Sequence, residues 1–167
     1  MLNIVEATEA HFSVISDIAH RTWPHTFGAI LPPAQIAYML EWMYSHESLR
    51  EQVEAKGHRF VLAAQDGTFW GYASYEHGHG GQPKTKLHKI YVLPDAQGRG
   101  VGQALMQYVM QRARTAGDAS LLLNVNRENK AVQFYERVGF VVVSTEDIDI
   151  GGGYWMNDFV MEKQLND

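Results

Sequence analysis

Gln97-Gly98-Arg99-Gly100-Val101-Gly102 sets glycine at every second position, between the run Leu87-His88-Lys89-Ile90-Tyr91-Val92 and a long amphipathic segment. A strand that enters such a loop and leaves as a helix has a row of backbone N–H groups with no acceptor in the chain. At the positive end of the helix dipole, that row suits a phosphate or pyrophosphate. Glycine keeps side chains away from the ligand's oxygens and permits positive φ. A dinucleotide-binding loop wants G-x-G-x-x-G and an acidic residue about 20 residues on. Here the spacing is G-x-G-x-G, and the corresponding downstream positions hold Ser120 and Leu121. A P-loop wants Lys-Ser or Lys-Thr after the glycines, and neither follows. An ordinary glycine turn before a helix is the plainest alternative.

The elements around the loop must position it. Val101, Leu105, Tyr108, Val109 and Arg112 fall at helical spacing, and Gly117 closes that helix. Leu121 to Asn126 reads as a buried strand, Asn129 to Arg137 as a short helix ended by Gly139, and Phe140 to Val143 as another β-rich run. Upstream, Leu2 to Ala7 reads as a first strand. Glu9 to Trp23 reads as a helix capped by Thr8 and broken at Pro24. Helices over Pro33 to Tyr44 and Glu47 to Ala55 follow, then a hairpin of Arg59 to Gln65 and Thr68 to Glu76 about Asp66-Gly67. Asp147 to Ile150 and Tyr154 to Glu162, about Gly151-Gly152-Gly153, make a final hairpin. The pattern is α/β with a largely antiparallel sheet.

Strand, Q-x-x-G-x-G loop, helix, strand, N-x-A-x-x-F-Y helix and G-F strand, in that order, resemble the second half of the GNAT (Gcn5-related N-acetyltransferase) superfamily. The resemblance is strong over about residues 86 to 145. It implies a single GNAT domain over residues 1–167, acetyl-coenzyme A as acyl donor and no metal. It also implies transfer of the acetyl group to a primary amine by direct attack in a ternary complex. The backbone of Gln97, Gly98, Arg99, Gly100, Val101 and Gly102 would take the pyrophosphate. Ile90, Tyr91 and Val92 would pair with the pantetheine arm where their strand splays from the next, with the Val92 N–H facing the thioester oxygen. No cysteine is present to carry the acetyl group.

Such a reaction needs a neutral amine, a stabilised oxyanion and a proton for the leaving thiolate. Tyr135, in the helix that opens at Asn129, stands where these enzymes commonly place a tyrosine near the sulfur. A phenol is protonated at neutral pH and can donate; packing beside Phe134 is the competing role. Asn126 and Asn129 suit either pantetheine hydrogen bonds or turn capping. His88 and Glu76 are the candidate bases, with a chain of water molecules as the alternative. By alternation His88, Ile90 and Val92 share one strand face, and Lys89 and Tyr91 the other. His77 and His79 alternate in a glycine loop with no third ligand at metal-binding spacing, so no metal is expected there.

For the acceptor, Trp23, His25, Phe27 and Tyr38 from the first helices, with Tyr154 and Asp158 from the last hairpin, are the expected contacts. Glu146, Asp147, Asp149 and Asp158 form an acidic row. Together with Gly151 to Asp158 and Lys86 to Pro94, that row resembles the bacterial polyamine N-acetyltransferase subgroup. A solvated strand face is the competing reading. A protein N-terminus or lysine is the alternative acceptor, and a non-catalytic acyl-coenzyme A sensor the alternative class. The net charge of −5 argues against a nucleic-acid partner and is compatible with a cationic substrate. There is no membrane-spanning run and no signal peptide at Met1 to Glu6, so a cytoplasmic location is expected. Val160 or Phe159 would serve a homodimer through the last strands.

Overall fold

The computed structural model describes residues 1–165. Strands β1 (Asn3–Glu6), β2 (Arg59–Gln65), β3 (Thr68–Glu76), β4 (Lys84–Val92), β5 (Ser120–Asn126), β6 (Val141–Gly151) and β7 (Tyr154–Gln164) form one sheet in the order β1-β2-β3-β4-β5-β7-β6. Every neighbouring pair is antiparallel except β4 and β5, which run parallel. Helices α1 (Phe12–Phe27), α2 (Pro33–Tyr44) and α3 (His46–Glu54) cover one face of this sheet. Helices α4 (Val101–Thr115) and α5 (Ala131–Val138) cover the other.

The β2–β3 hairpin turns where expected, through Asp66 and Gly67, both at positive φ. Pro24, by contrast, lies inside α1 instead of ending it. His20 and Pro24 are both exposed, so the carbonyl that loses its N–H partner stays within reach of water. Trp23 and Phe27 continue the buried stripe, their rings 4.5 Å apart. Thr8 heads a short 3₁₀ turn, Glu9–His11, ahead of α1, and its N–H donates to His11 Nδ1 at 2.9 Å. The runs Phe140 to Val143 and Asp147 to Ile150 are not separate strands. They join in β6, which pairs with β7 through two register shifts.

Two irregularities in β4 shape the site. Ser74 pairs with Lys89, and Tyr75 pairs with Leu87, so His88 is an extra residue in the ladder. Leu87, Ile90 and Val92 therefore pack into the same core, which simple alternation would forbid. This corrects the expected shared face of His88, Ile90 and Val92: His88 leaves that face, and its ring stacks on His58 at 3.8 Å. The second irregularity is that β4–β5 pairing runs only from Lys84–Ser120 to Leu87–Leu123, although both strands continue. Gly71 holds β3 against β4 at this level, since a Cβ there would lie 2.7 Å from the Tyr91 carbonyl oxygen.

Val160 is buried, and Phe159 packs against the α4–α5 core, so the residues expected at a dimer face are used inside the chain. The exposed apolar row instead lies on the edge strand β6, at Val141, Val142 and Val143. Among the described residues no helix is long and apolar enough to cross a membrane.

Candidate active site

The loop from β4 to α4 ends in Gly100, at φ 79°, directly before the first helical residue. Gln97 and Arg99 turn their N–H groups inward, to the Pro94 and Ala96 carbonyls. The N–H groups of Gly98, Gly100, Val101, Gly102 and Gln103 find no backbone or side-chain acceptor among the described residues. A Cβ on Gly98 or Gly100 would meet no heavy atom within 4 Å, so the approach to those donors is open. Five N–H groups at the start of α4 are thus left without an acceptor among the described residues, in the geometry that suits an anion. Arg99 lies over the Trp70 ring, 5.6 Å from its centroid.

Beyond Leu87 the facing edges of β4 and β5 have no ladder partner in each other. Tyr135, from α5, is buried in the α4–α5 core beside Phe134 and Phe140. Burial pushes its phenol up, so it is held protonated, and among the described residues its hydroxyl has no hydrogen-bond partner. The Tyr91 ring packs on the α1–α2 side of the sheet, 5.7 Å from Trp23. The two asparagines have local work: Asn126 Oδ1 accepts from the Glu128 N–H and Asn129 Oδ1 from the Ala131 N–H, each at 2.9 Å. Both are Asx-type turns, the first closing β5 and the second leading into α5.

On the opposite face, Tyr38, Ile148, Tyr154 and Met156 pack against the α1–α2 core. Asp158 follows Met156 on that face by alternation. It is only 6% exposed. Its Oδ2 accepts from Asn124 Nδ2 at 3.3 Å, while its Oδ1 is buried with no partner. Burial raises the Asp158 carboxyl above its ordinary value. Of the acidic row, Asp147 is paired with Arg127 at 2.5 Å, and Asp149 turns back to the Gly151 N–H. Glu146 stays with Asp158, both bonded to Asn124 Nδ2. Helix α2 is fastened over this region: Gln35 Nε2 donates to the Trp155 carbonyl and Tyr38 Oη to the Ile150 carbonyl, both at 2.9 Å.

The expected acceptor contacts divide. Tyr38 and Tyr154 lie together, rings 5.3 Å apart, and Trp23 and Phe27 are core aromatics, with Trp23 reaching Tyr91. His25 lies on the exposed side of α1, which runs on through Pro24. Glu76 and His88 do meet, with His88 Nε2 donating to Glu76 Oε1 at 2.8 Å. Burial holds the His88 imidazole down to about 3, and its histidine and lysine neighbours add to this, so it is neutral. Hydrogen bonds from His88 and His79 hold Glu76 below the usual carboxylate range against the cost of its burial. Sequence reasoning missed Lys89. It is buried, its Nζ donates to Gln52 Oε1 at 2.7 Å, and burial pushes it down to about 7. It also missed Asn124 and His58, which alternation in β5 and the start of β2 could have offered.

Residues 31–162 match the family described as acetyltransferase (GNAT) domain, and the chain belongs to that family. It is 28% identical to the L-amino acid N-acyltransferase MnaT of Escherichia coli over 66% of this chain and 67% of that one. It is 25% identical to an uncharacterised N-acetyltransferase of Lactobacillus delbrueckii over 98% of both. Among solved structures, a PaiA N-acetyltransferase of Thermoplasma acidophilum bound to coenzyme A superposes with a TM-score of 0.82. Their identity is 24%, covering 98% of this chain and 99% of that one. The protein is an acetyl-coenzyme A-dependent N-acetyltransferase with the GNAT fold.

The Asp158 environment makes a prediction about stability. A carboxyl whose folded pKa lies above its unfolded value binds more protons when folded, so its stabilising contribution is present at low pH and lost as pH rises through the folded pKa. Urea unfolding from about pH 4 to about pH 7 should therefore show Asp158→Asn gaining stability over the native protein as pH rises. Equal stabilities across that range would mean that Asp158 is not a strained charge.

Proposed function

We propose that one GNAT domain acetylates a small primary amine, a polyamine among those that fit, by direct attack in a ternary complex. The observation that carries this reading is the open β4–β5 edge ending at a row of free N–H donors. Acetyl-coenzyme A supplies the acyl group as a thioester and leaves as the thiol. The backbone donors of Gly98, Gly100, Val101, Gly102 and Gln103 hold its pyrophosphate, within the Gln97–Gly102 loop. The edge of Ile90, Tyr91 and Val92 takes the pantetheine arm. The Asn129 amide, whose oxygen accepts from the Ala131 N–H, leaves its NH₂ group for the same arm, and Asn126, whose Nδ2 also donates to Met156 Sδ at 3.9 Å, has one further N–H to offer it. Tyr135 keeps a proton at its phenol oxygen for the leaving sulfur.

The acceptor enters on the other face. Asp158 meets its ammonium with the free Oδ1 and takes a proton from it, while Glu146 offers a charge for a second cationic group. Glu76 with His88 is the second candidate for the proton. Among the curated relatives, one is named for L-amino acids, one for methionine sulfoximine and methionine sulfone, and one for streptothricin. Those names support a small acceptor. So does α2, which two hydrogen bonds tie to the β6–β7 hairpin on the Asp158 side of the sheet.

Thiol release from acetyl-coenzyme A, followed across spermidine, spermine, monoamines, amino acids and N-terminal peptides, tests the acceptor class. Saturable turnover with the small amines is expected, and turnover with peptides alone would overturn the reading. Tyr135→Phe should lower kcat about 10²-fold with coenzyme A affinity nearly unchanged; a loss under about twofold removes Tyr135 from the mechanism. Gly100→Glu should abolish coenzyme A binding by calorimetry. Gly100→Ala bears the same backbone strain of about 1 kcal/mol without the carboxylate, so it separates charge from strain.

A further inference from the structure

Four side chains, from the residue before β2, the end of β3, the turn after it and the bulge of β4, converge beside that bulge. Glu76 Oε1, at the end of β3, receives His88 Nε2 at 2.8 Å and His79 Nδ1 at 3.0 Å, and lies 3.7 Å from His58 Nε2. The ligand atoms of His58, Glu76 and His88 all fall within 4.8 Å of one another. His58 comes from the residue before β2, His88 from the extra position in β4, and His79 from the glycine turn after β3. The third ligand that His77 and His79 lack in sequence is thus supplied by the fold. His77 itself is drawn elsewhere, to Thr85 Oγ1 at 2.8 Å and toward Asp118.

We propose that His58, Glu76 and His88, with His79 closing from its loop, form a binding site for a divalent transition-metal cation of the zinc class. Three imidazole nitrogens and one carboxylate oxygen are the donor set such a cation takes in tetrahedral geometry, and they disfavour magnesium or calcium. The His58 and His88 rings now stack at 3.8 Å, 18° apart, and must fan apart to aim both nitrogens at one ion. His58 can make that move, because its Nδ1 is buried with no partner and no hydrogen bond fixes the far side of the ring. His79 can follow, since Gly78, Gly80 and Gly81 around it all take positive φ, where glycine alone is unstrained. Glu76 supplies the anionic charge. Lys89, its Nζ held on Gln52 and over the Tyr44 and Phe60 rings, flanks the cluster together with Lys56 and Lys86, and Glu76 sets its charge against theirs. The site is a binding site, separate from any need of the transfer reaction for a metal.

The test is calorimetric titration of the metal-free protein with Zn²⁺, alongside Co²⁺ absorption spectra. About one ion per chain is expected, with the visible bands of tetrahedral Co²⁺. His58→Ala and Glu76→Gln should each weaken binding at least about tenfold. His79→Ala, a change on a part-exposed turn that the fold tolerates, should weaken it in the same direction. Thermal melting and coenzyme A titration of each variant report whether it is folded. No saturable binding, or equal binding in folded variants as expected of scattered surface histidines, would overturn the site.

Discussion

The parallel ladder between β4 and β5 stops at Leu87 and Leu123, and the rest of the site depends on that stop. Each strand continues for several residues, so backbone N–H and C=O groups are left facing a gap inside an otherwise continuous sheet. Unpaired backbone groups at a sheet interior demand partners. A ligand arm with its own amides is the partner this gap can accept. The bulge at His88 lies just past the last parallel pair and reorients β4 there. It returns Ile90 and Val92 to the α4 side and leaves Tyr91 against α1. The glycine loop follows directly, so the unpaired edge leads straight to the N–H groups that have no acceptor.

Each face then contributes what the other cannot. The α4–α5 side is apolar and carries Tyr135, whose phenol is kept neutral by burial. The α1–α2 side carries Asp158, a carboxylate with one oxygen unanswered, a feature the fold would be expected to eliminate if it served stability alone. Lys89 is the complementary case: a buried cation on the same side, answered by Gln52 Oε1 and the faces of Tyr44 and Phe60.

Most of this architecture could be read from local signals. Asp66-Gly67 sets its hairpin, Pro33 opens α2, Gly117 and Gly139 follow their helices, and the glycine loop stands between β4 and α4. These features rest on residues whose backbone preferences act within a turn. What escaped depends on partners distant in sequence. Pro24 reads as a break, yet Trp23 and Phe27 bury enough ring on one side to carry the helix through it. His25 consequently faces solvent. The bulge at His88 cannot be read from alternation, because it exists only relative to β3. His58 is an unremarkable loop residue until β2 brings it against β4. Asp147 and Asp149 look equivalent to Asp158 in sequence; Arg127 and the Gly151 N–H, placed by the turns of the fold, are what distinguish them.

The choice between the two candidate proton acceptors follows from how each carboxylate is hydrogen-bonded. Glu76 Oε1 already receives two imidazole donors, which stabilise its charge and make it a weaker base than a free carboxylate. The His88 ring that donates to it is neutral and held far below the range in which it would accept a proton at neutral pH. Asp158 is shifted the other way: burial destabilises its charge, only Asn124 offsets this, and Oδ1 has nothing to bind. Proton transfer is favoured when the acceptor's pKa approaches the operating pH. Asp158 moves toward that condition while Glu76 and His88 move away from it. An incoming ammonium would both answer the orphaned oxygen and give up its proton there. The hydrogen bonding of the histidine cluster at the bulge thus favours Asp158 over Glu76 and His88 as the proposed acceptor of that proton.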